Sequence, residues 1–206
     1  MKKLLLTIVL LCSTMAITAQ NYIQVNYQGE KPTIGDFAWA LLSNYNNAWD
    51  DEGDNLDEAT YAAKEAWINY RKNIPQDEGD EVIVDQKNGY AVYNSRDDRG
   101  LLRVEMCYWN EADQKHKLIA YNVTCYVDGK FFLSELPRLE FYRYNNATKK
   151  MICCDAPGFI DYGWSDGAAV SYDLPRYGKD IICTYWYDNG KKKQKKLKWN
   201  GRKFSF

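Results

Sequence analysis

The chain has 206 residues, with 27 Lys and Arg against 28 Asp and Glu, a single histidine and a formal net charge of −1. Balanced charge gives no reason to expect a nucleic-acid partner, and one histidine removes most zinc arrangements, since no Cys-x-x-Cys spacing takes over the ligand role. Aromatic residues make up 15% of the chain, 17 of them tyrosines, a composition suited to half-exposed sheets and to ligand surfaces.

Lys2 and Lys3 precede an apolar run from Leu4 to Leu11, and small residues lie near Ala19. A basic head, a short apolar stretch and a small-residue exit read as a secretory signal peptide. The run is too short to span a bilayer as a helix. Cleavage after Ala19 leaves Gln20 as the new N-terminus, and bulky Leu11 before Cys12 speaks against lipid anchoring. The expected division is 1–19 signal peptide, 20–79 helical part and 80–206 antiparallel β part, with 20–206 one compact unit. Export implies a periplasmic or secreted location, with no transmembrane segment.

After a short alternating segment at Tyr22 to Tyr27, two helical patterns follow. Ile34, Phe37, Leu41, Tyr45 and Ala48 recur at helical spacing behind Thr33 or Asp36 as caps. Ala59, Ala63, Ala66, Trp67 and Tyr70 share one face, with Asp57 as N-cap, Arg71 and Lys72 in the last turn and Pro75 beyond it. The acidic run Asp50 to Glu58 between them misses the calcium-loop pattern, because Gly53 stands fourth and the acids do not alternate. It reads as a solvated linker.

From Val82 onward the chain reads as β-structure. Leu102, Val104, Met106 and Tyr108 alternate with Arg103 and Glu105, the period-two pattern of a half-buried strand. Ile119, Tyr121, Val123, Cys125 and Val127 alternate with Ala120, Asn122 and Thr124 in the next strand. Asp128-Gly129 favours a type I′ turn, while Asn88-Gly89 and Asn200-Gly201 mark further hairpins. Strands are expected at 139–144, 150–154, 168–172 and 180–187. An internal echo links Ala91-Val92-Tyr93, Cys107 and Lys117-Leu118 with Ala169-Val170-Ser171, Cys183 and Lys196-Leu197. It suggests two similar hairpin units, side by side or closed into a barrel.

Cys107, Cys125, Cys153, Cys154 and Cys183 follow the signal segment, an odd number that leaves at least one thiol unpaired within the chain. Cys107 and Cys125 fall on opposite faces of their strands, which rules out a bridge needing Cβ atoms within about 4.5 Å; pairings of Cys183 stay open. Gly163-Trp164-Ser165-Asp166-Gly167 matches G-x-S-x-G, but a nucleophile elbow needs a helix after it and a later histidine. Strand residues follow, and His116 comes earlier. No catalytic residue, cofactor or metal site is assigned.

The stretch 155–179 is the candidate ligand surface. Phe159, Asp161, Tyr162, Trp164, Asp166, Tyr172 and Tyr177 combine aromatic faces that stack on sugar rings with carboxylates that accept hydroxyl protons. The competing reading folds these aromatics inward to plug the sheet. The run Lys191 to Lys196 reads either as a patch for an anionic partner or as protection of an edge strand against aggregation.

Asp85-Gln86-Lys87-Asn88-Gly89-Tyr90, followed by Cys107-Tyr108-Trp109-Asn110 and Lys117-Leu118, resembles a pattern in uncharacterised exported proteins of gut Bacteroidetes. The resemblance covers the middle third of the chain. It implies an envelope or secreted location and carries over no catalytic residue. The expected class is α+β, with N-terminal helices packed on a large, mostly antiparallel β-meander sheet. A duplicated hairpin unit and a cone like that of nuclear transport factor 2 are its two finer forms. The expected function is an exported, non-catalytic binding or accessory protein of the cell envelope, with a glycan or envelope component as ligand. The alternatives are an exported glycan hydrolase using paired carboxylates and a protein-interaction module.

Overall fold

The computed structural model describes residues 22–44, 55–98, 100–132, 138–160, 164–165 and 167–206. Residues 1–21, where the signal peptide is expected, most of the acidic linker, Asp161, Tyr162 and Asp166 lie outside them, and of Trp164 and Ser165 only the backbone is described. The elements are β1 (Tyr22–Gln24), α1 (Ile34–Asn44), α2 (Asn55–Lys72), β2 (Asp80–Asp85), β3 (Tyr90–Arg96), β4 (Gly100–Asn110), β5 (His116–Val127), β6 (Lys130–Phe131), β7 (Arg138–Asn145), β8 (Lys150–Cys153), β9 (Trp164–Ser165), β10 (Ala168–Asp173), β11 (Ile181–Tyr187), β12 (Lys192–Trp199) and β13 (Phe204–Ser205). The class is α+β with a large antiparallel sheet, as expected.

The large sheet runs β1-β8-β7-β5-β4-β3-β2, with β6 attached to β5. The later strands, expected to continue this sheet, instead form a second one in the order β13-β12-β11-β10-β9. The helices cover one face of the large sheet. Ile34, Phe37, Leu41, Ala63 and Trp67 pack there with Val104, Met106, Ile119, Tyr121 and Val123. Phe37 sets its ring edge-on to Tyr108 and Tyr144, at centroid separations of 5.5 and 5.0 Å. Thr33 opens α1 as a reciprocal cap: the Asp36 amide donates to Thr33 Oγ1 at 3.3 Å, and the Thr33 amide donates to the Asp36 carboxylate at 2.7 Å. Tyr70 departs from the expected buried face of α2, standing 44% exposed.

The second sheet covers the other face of the large one. Tyr90, Val92, Cys107, Trp109, Leu118 and Ala120 meet Val170, Tyr172, Cys183, Tyr185, Leu197 and Phe204 in a second core. This corrects the half-buried reading of β4 and β5, because both faces of these strands are covered. The sequence echo falls on two three-stranded meanders, β3-β4-β5 and β10-β11-β12, joined in antiparallel register. Val92, Cys107 and Leu118 of one share a core with Val170, Cys183 and Leu197 of the other. The meanders therefore contribute to one core from different sheets, not side by side in a single sheet. No disulfide joins the five cysteines to one another among the described residues.

Asp128 and Gly129 take φ of 50° and 70°, the positive values that a type I′ hairpin requires. The described part of the G-x-S-x-G match is not followed by the helix that a nucleophile elbow requires. Trp164–Ser165 is a strand, and the next described element is strand β10 from Ala168.

Candidate functional site

The polar residues on the second face of β4 and β5 have a structural task. Residues 172 to 174 of β10 and its end reach beyond the two-residue cover that β9 supplies at Ala168 and Ala169. A buried, unpaired strand edge would leave backbone polar groups without partners, which is costly. Asn122 Nδ2 donates to the Tyr172 carbonyl at 2.8 Å, and the Leu174 amide donates to Glu105 Oε2 at 3.4 Å. Glu105 and Asn122 face each other across β4 and β5 and act together as a side-chain substitute for a missing neighbouring strand.

Glu105 is fully buried, and both of its oxygens are engaged. Tyr90 Oη donates to Oε1 at 2.6 Å, Arg103 Nη2 reaches the same oxygen at 2.9 Å, and Asn122 Nδ2 donates to Oε2 at 3.2 Å. Burial raises the Glu105 carboxyl above its ordinary range, with Arg103 and Tyr90 acting against that rise. Burial likewise raises Asp173, with Arg103 opposing it. Arg103 also lines a cleft of about 440 Å³ between the β3–β4 and β5–β6 turns, alongside Tyr126, Arg96, Asp97 and Asp128.

This network ties down the connection from β10 to β11, residues 174–180. Arg176 Nε donates to Asp85 Oδ2 at 3.0 Å, and Trp109 Nε1 donates to the Lys179 carbonyl at 3.0 Å. Asp85 also accepts from the amide and side chain of Asn88; these bonds, with Arg176, hold its carboxyl below the usual value. The connection is thus pinned at Leu174, Arg176 and Lys179. Between the last two pins stands Tyr177, 72% exposed, with the Arg176 guanidinium carbon 5.5 Å from its ring centroid.

The expected ligand residues therefore separate. Tyr177 presents its ring to solvent. Tyr172 is fully buried, and Phe159 packs against Phe141 and Tyr172 at 4.9 and 5.5 Å. As members of the second core, Tyr172 and Phe159 do not offer faces to a sugar. Asp161, Tyr162 and Asp166 lie outside the described residues, and Trp164 is placed by backbone only. Arg176, Asp85 and Trp109 were missed in the sequence because their partners lie 70 and 91 positions away. The one local signal was Pro175-Arg176-Tyr177-Gly178, an aromatic set between turn formers.

A second polar cluster surrounds the only histidine. His116 Nδ1 lies 2.6 Å from Asp113 Oδ2, and Asn145 Nδ2 lies 3.1 Å from Nε2. Arg143 grips Glu111 with two bonds of 2.8 and 2.6 Å and stands 3.7 Å from Asp113. Glu111, Asp113 and His116 bring ligand-type atoms within 4.8 Å of one another. The Arg143 guanidinium already supplies the positive charge that these carboxylates face, which makes the cluster a turn-to-strand clamp. The His116 bond and the Lys115 amide lower the Asp113 carboxyl to about 2. Burial raises the thiols of Cys154 to about 11 and Cys183 to about 12, so both are protonated at neutral pH, the opposite of an activated nucleophile.

In comparisons with protein-family models, curated proteins and solved structures, nothing matches this chain.

Proposed function

We propose that this chain is an exported, non-catalytic binding protein of the cell envelope that contacts a glycan through the β10–β11 connection. The observation that carries this reading is Tyr177, an aromatic ring left open to solvent on a turn held at three points. A ligand stacking on a pre-positioned ring spends little ordering entropy, and the adjoining Arg176 offers donors to ring hydroxyls. Glu105 speaks against hydrolysis by a carboxylate pair in this region: it is buried, and both oxygens are committed to internal partners. Export rests on the reading of residues 1–19.

The test is binding of the full chain to a panel of host and bacterial glycans, with Tyr177→Ala and Trp164→Ala beside the parent. Loss of binding in Tyr177→Ala at an unchanged melting temperature supports the reading. Equal binding by Tyr177→Ala refutes the contact through this turn. Turnover of a bound glycan would move the protein to the hydrolase class, with Asp173 the first carboxylate to replace.

A further inference from the structure

The stretch 191–206 contains seven lysines, Arg202 and no acidic residue, in a chain whose formal net charge is −1. Most of this charge sits on β12. Successive side chains of a strand point to opposite faces, so Lys192, Lys196 and Lys198 share one row with Gln194, while Lys193 and Lys195 form the other. All of these lysines except Lys195 are exposed. Among the described residues, the salt bridges join Arg103, His116, Arg143 and Arg176 to their acids, and none uses a lysine of β12.

Two further features give the row a shape. β13 pairs only with Lys198 and Trp199, so from Lys192 to Leu197 the edge away from β11 has no neighbouring strand among the described residues. Aromatic rings lie beneath the ammonium groups: Lys192 Nζ is 3.9 Å from the Trp186 ring centroid, and Lys195 Nζ is 4.9 Å from Tyr185 and 5.4 Å from Phe206. Phe206 is itself 53% exposed. Protection of an edge against sheet pairing is achieved with one or two lysines; five along one eight-residue strand, with rings under two of them, is more than that task asks.

We infer that the β12 edge binds a linear acidic polysaccharide carrying carboxylate or sulfate groups. A polymer lying along the strand meets both lysine rows, reaches the outward N–H and C=O groups of the open edge with its hydroxyls, and can rest a sugar face on Phe206. A lipid surface fits less well. It is planar, it would touch one row only, and peripheral attachment draws on apolar side chains inserted beside the basic ones, whereas Gln194 is the one other residue in the outer row. The inference is argued from the lysine rows and the open edge of β12, so it does not rest on the glycan reading of the Tyr177 turn.

The full chain is titrated with dextran sulfate, polygalacturonate and neutral dextran. Anionic phospholipid vesicles and duplex DNA are titrated in parallel. The expected result is binding to one or both acidic polysaccharides and not to neutral dextran, weakening roughly tenfold or more between about 50 and 200 mM salt as released counterions cease to drive association. K192Q/K196Q/K198Q is expected to weaken binding about tenfold or more at low salt with its melting temperature unchanged, and the matching Lys→Arg triple variant to retain it. Binding of the glutamine variant at parental strength would overturn the inference. So would equal affinity for vesicles or DNA, which would mark a charge effect without polysaccharide selectivity, and so would a lack of binding to either acidic polymer.

Discussion

The two faces of the large sheet are both buried, yet they are built on different chemistry. Toward the helices, Val104, Met106, Ile119, Tyr121 and Val123 make an apolar layer. Toward the second sheet, the same two strands present Arg103, Glu105, Asn122 and Thr124 beside Cys107 and Ala120. The helix face needs only apolar filling, because helices satisfy their own backbone. The other face receives a sheet whose β10 edge is partly uncovered, and it must supply hydrogen-bond partners as well as volume. A polar residue on an alternating strand can thus mark a buried edge to be capped, and not only a surface open to water.

The sharpest way to break this comparison is Glu105→Ala beside Met106→Ala, neighbours in sequence on opposite faces. Removing one partner of a buried ion pair leaves the other poorly compensated, so Glu105→Ala should cost about 3–5 kcal/mol, toward the lower end because Arg103 keeps some solvent contact. Met106→Ala should cost about 2–4 kcal/mol through lost contacts and a cavity. Urea unfolding measures both, and pH separates their causes. The native Glu105 carboxyl is raised above its ordinary 4.5, so the folded state holds that proton where the unfolded chain has lost it. Its contribution is full below the unfolded value and is lost as pH rises through the native one. Glu105→Gln should flatten that decline, whereas Met106→Ala should leave it in place. An identical pH profile in Glu105→Gln and the parent would sink the assignment.

Within the region read as a ligand surface, Phe159 and Tyr177 draw the same contrast on a smaller scale. Phe159→Ala opens the second core and should cost about 2–3 kcal/mol, below the range for a fully buried ring because Phe159 is only partly covered. Tyr177→Ala should change stability by less than about 0.5 kcal/mol. Thermal melting of the pair decides it: a Tyr177→Ala variant that melts well below the parent would place that ring among the structural aromatics.

The smallest effect is expected at the His116 clamp. Asp113 is held at about 2 against an ordinary 3.8, so its contribution is present above the unfolded value and disappears as pH falls through the native one. Asp113→Asn should therefore melt closer to the parent at pH near 2 than at neutral pH. A constant difference in melting temperature across that range would show that the carboxylate's charge is not what the clamp uses.

The sequence by itself determined the class, the two helices, most strand positions and the Asp128-Gly129 turn, because these follow from neighbours: spacing of apolar residues, caps and positive-φ turn pairs. It also placed Cys107 and Cys125 on opposite faces, since side-chain alternation along a strand is local. Tertiary structure alone decided that both alternating faces of β4 and β5 are covered. No spacing rule reveals that β10 arrives about 50 to 70 residues later to bind Asn122 and Glu105, or that Tyr172 turns inward while Tyr177 stays out. Those outcomes depend on which surfaces meet, and burial is a property of the meeting, not of either segment.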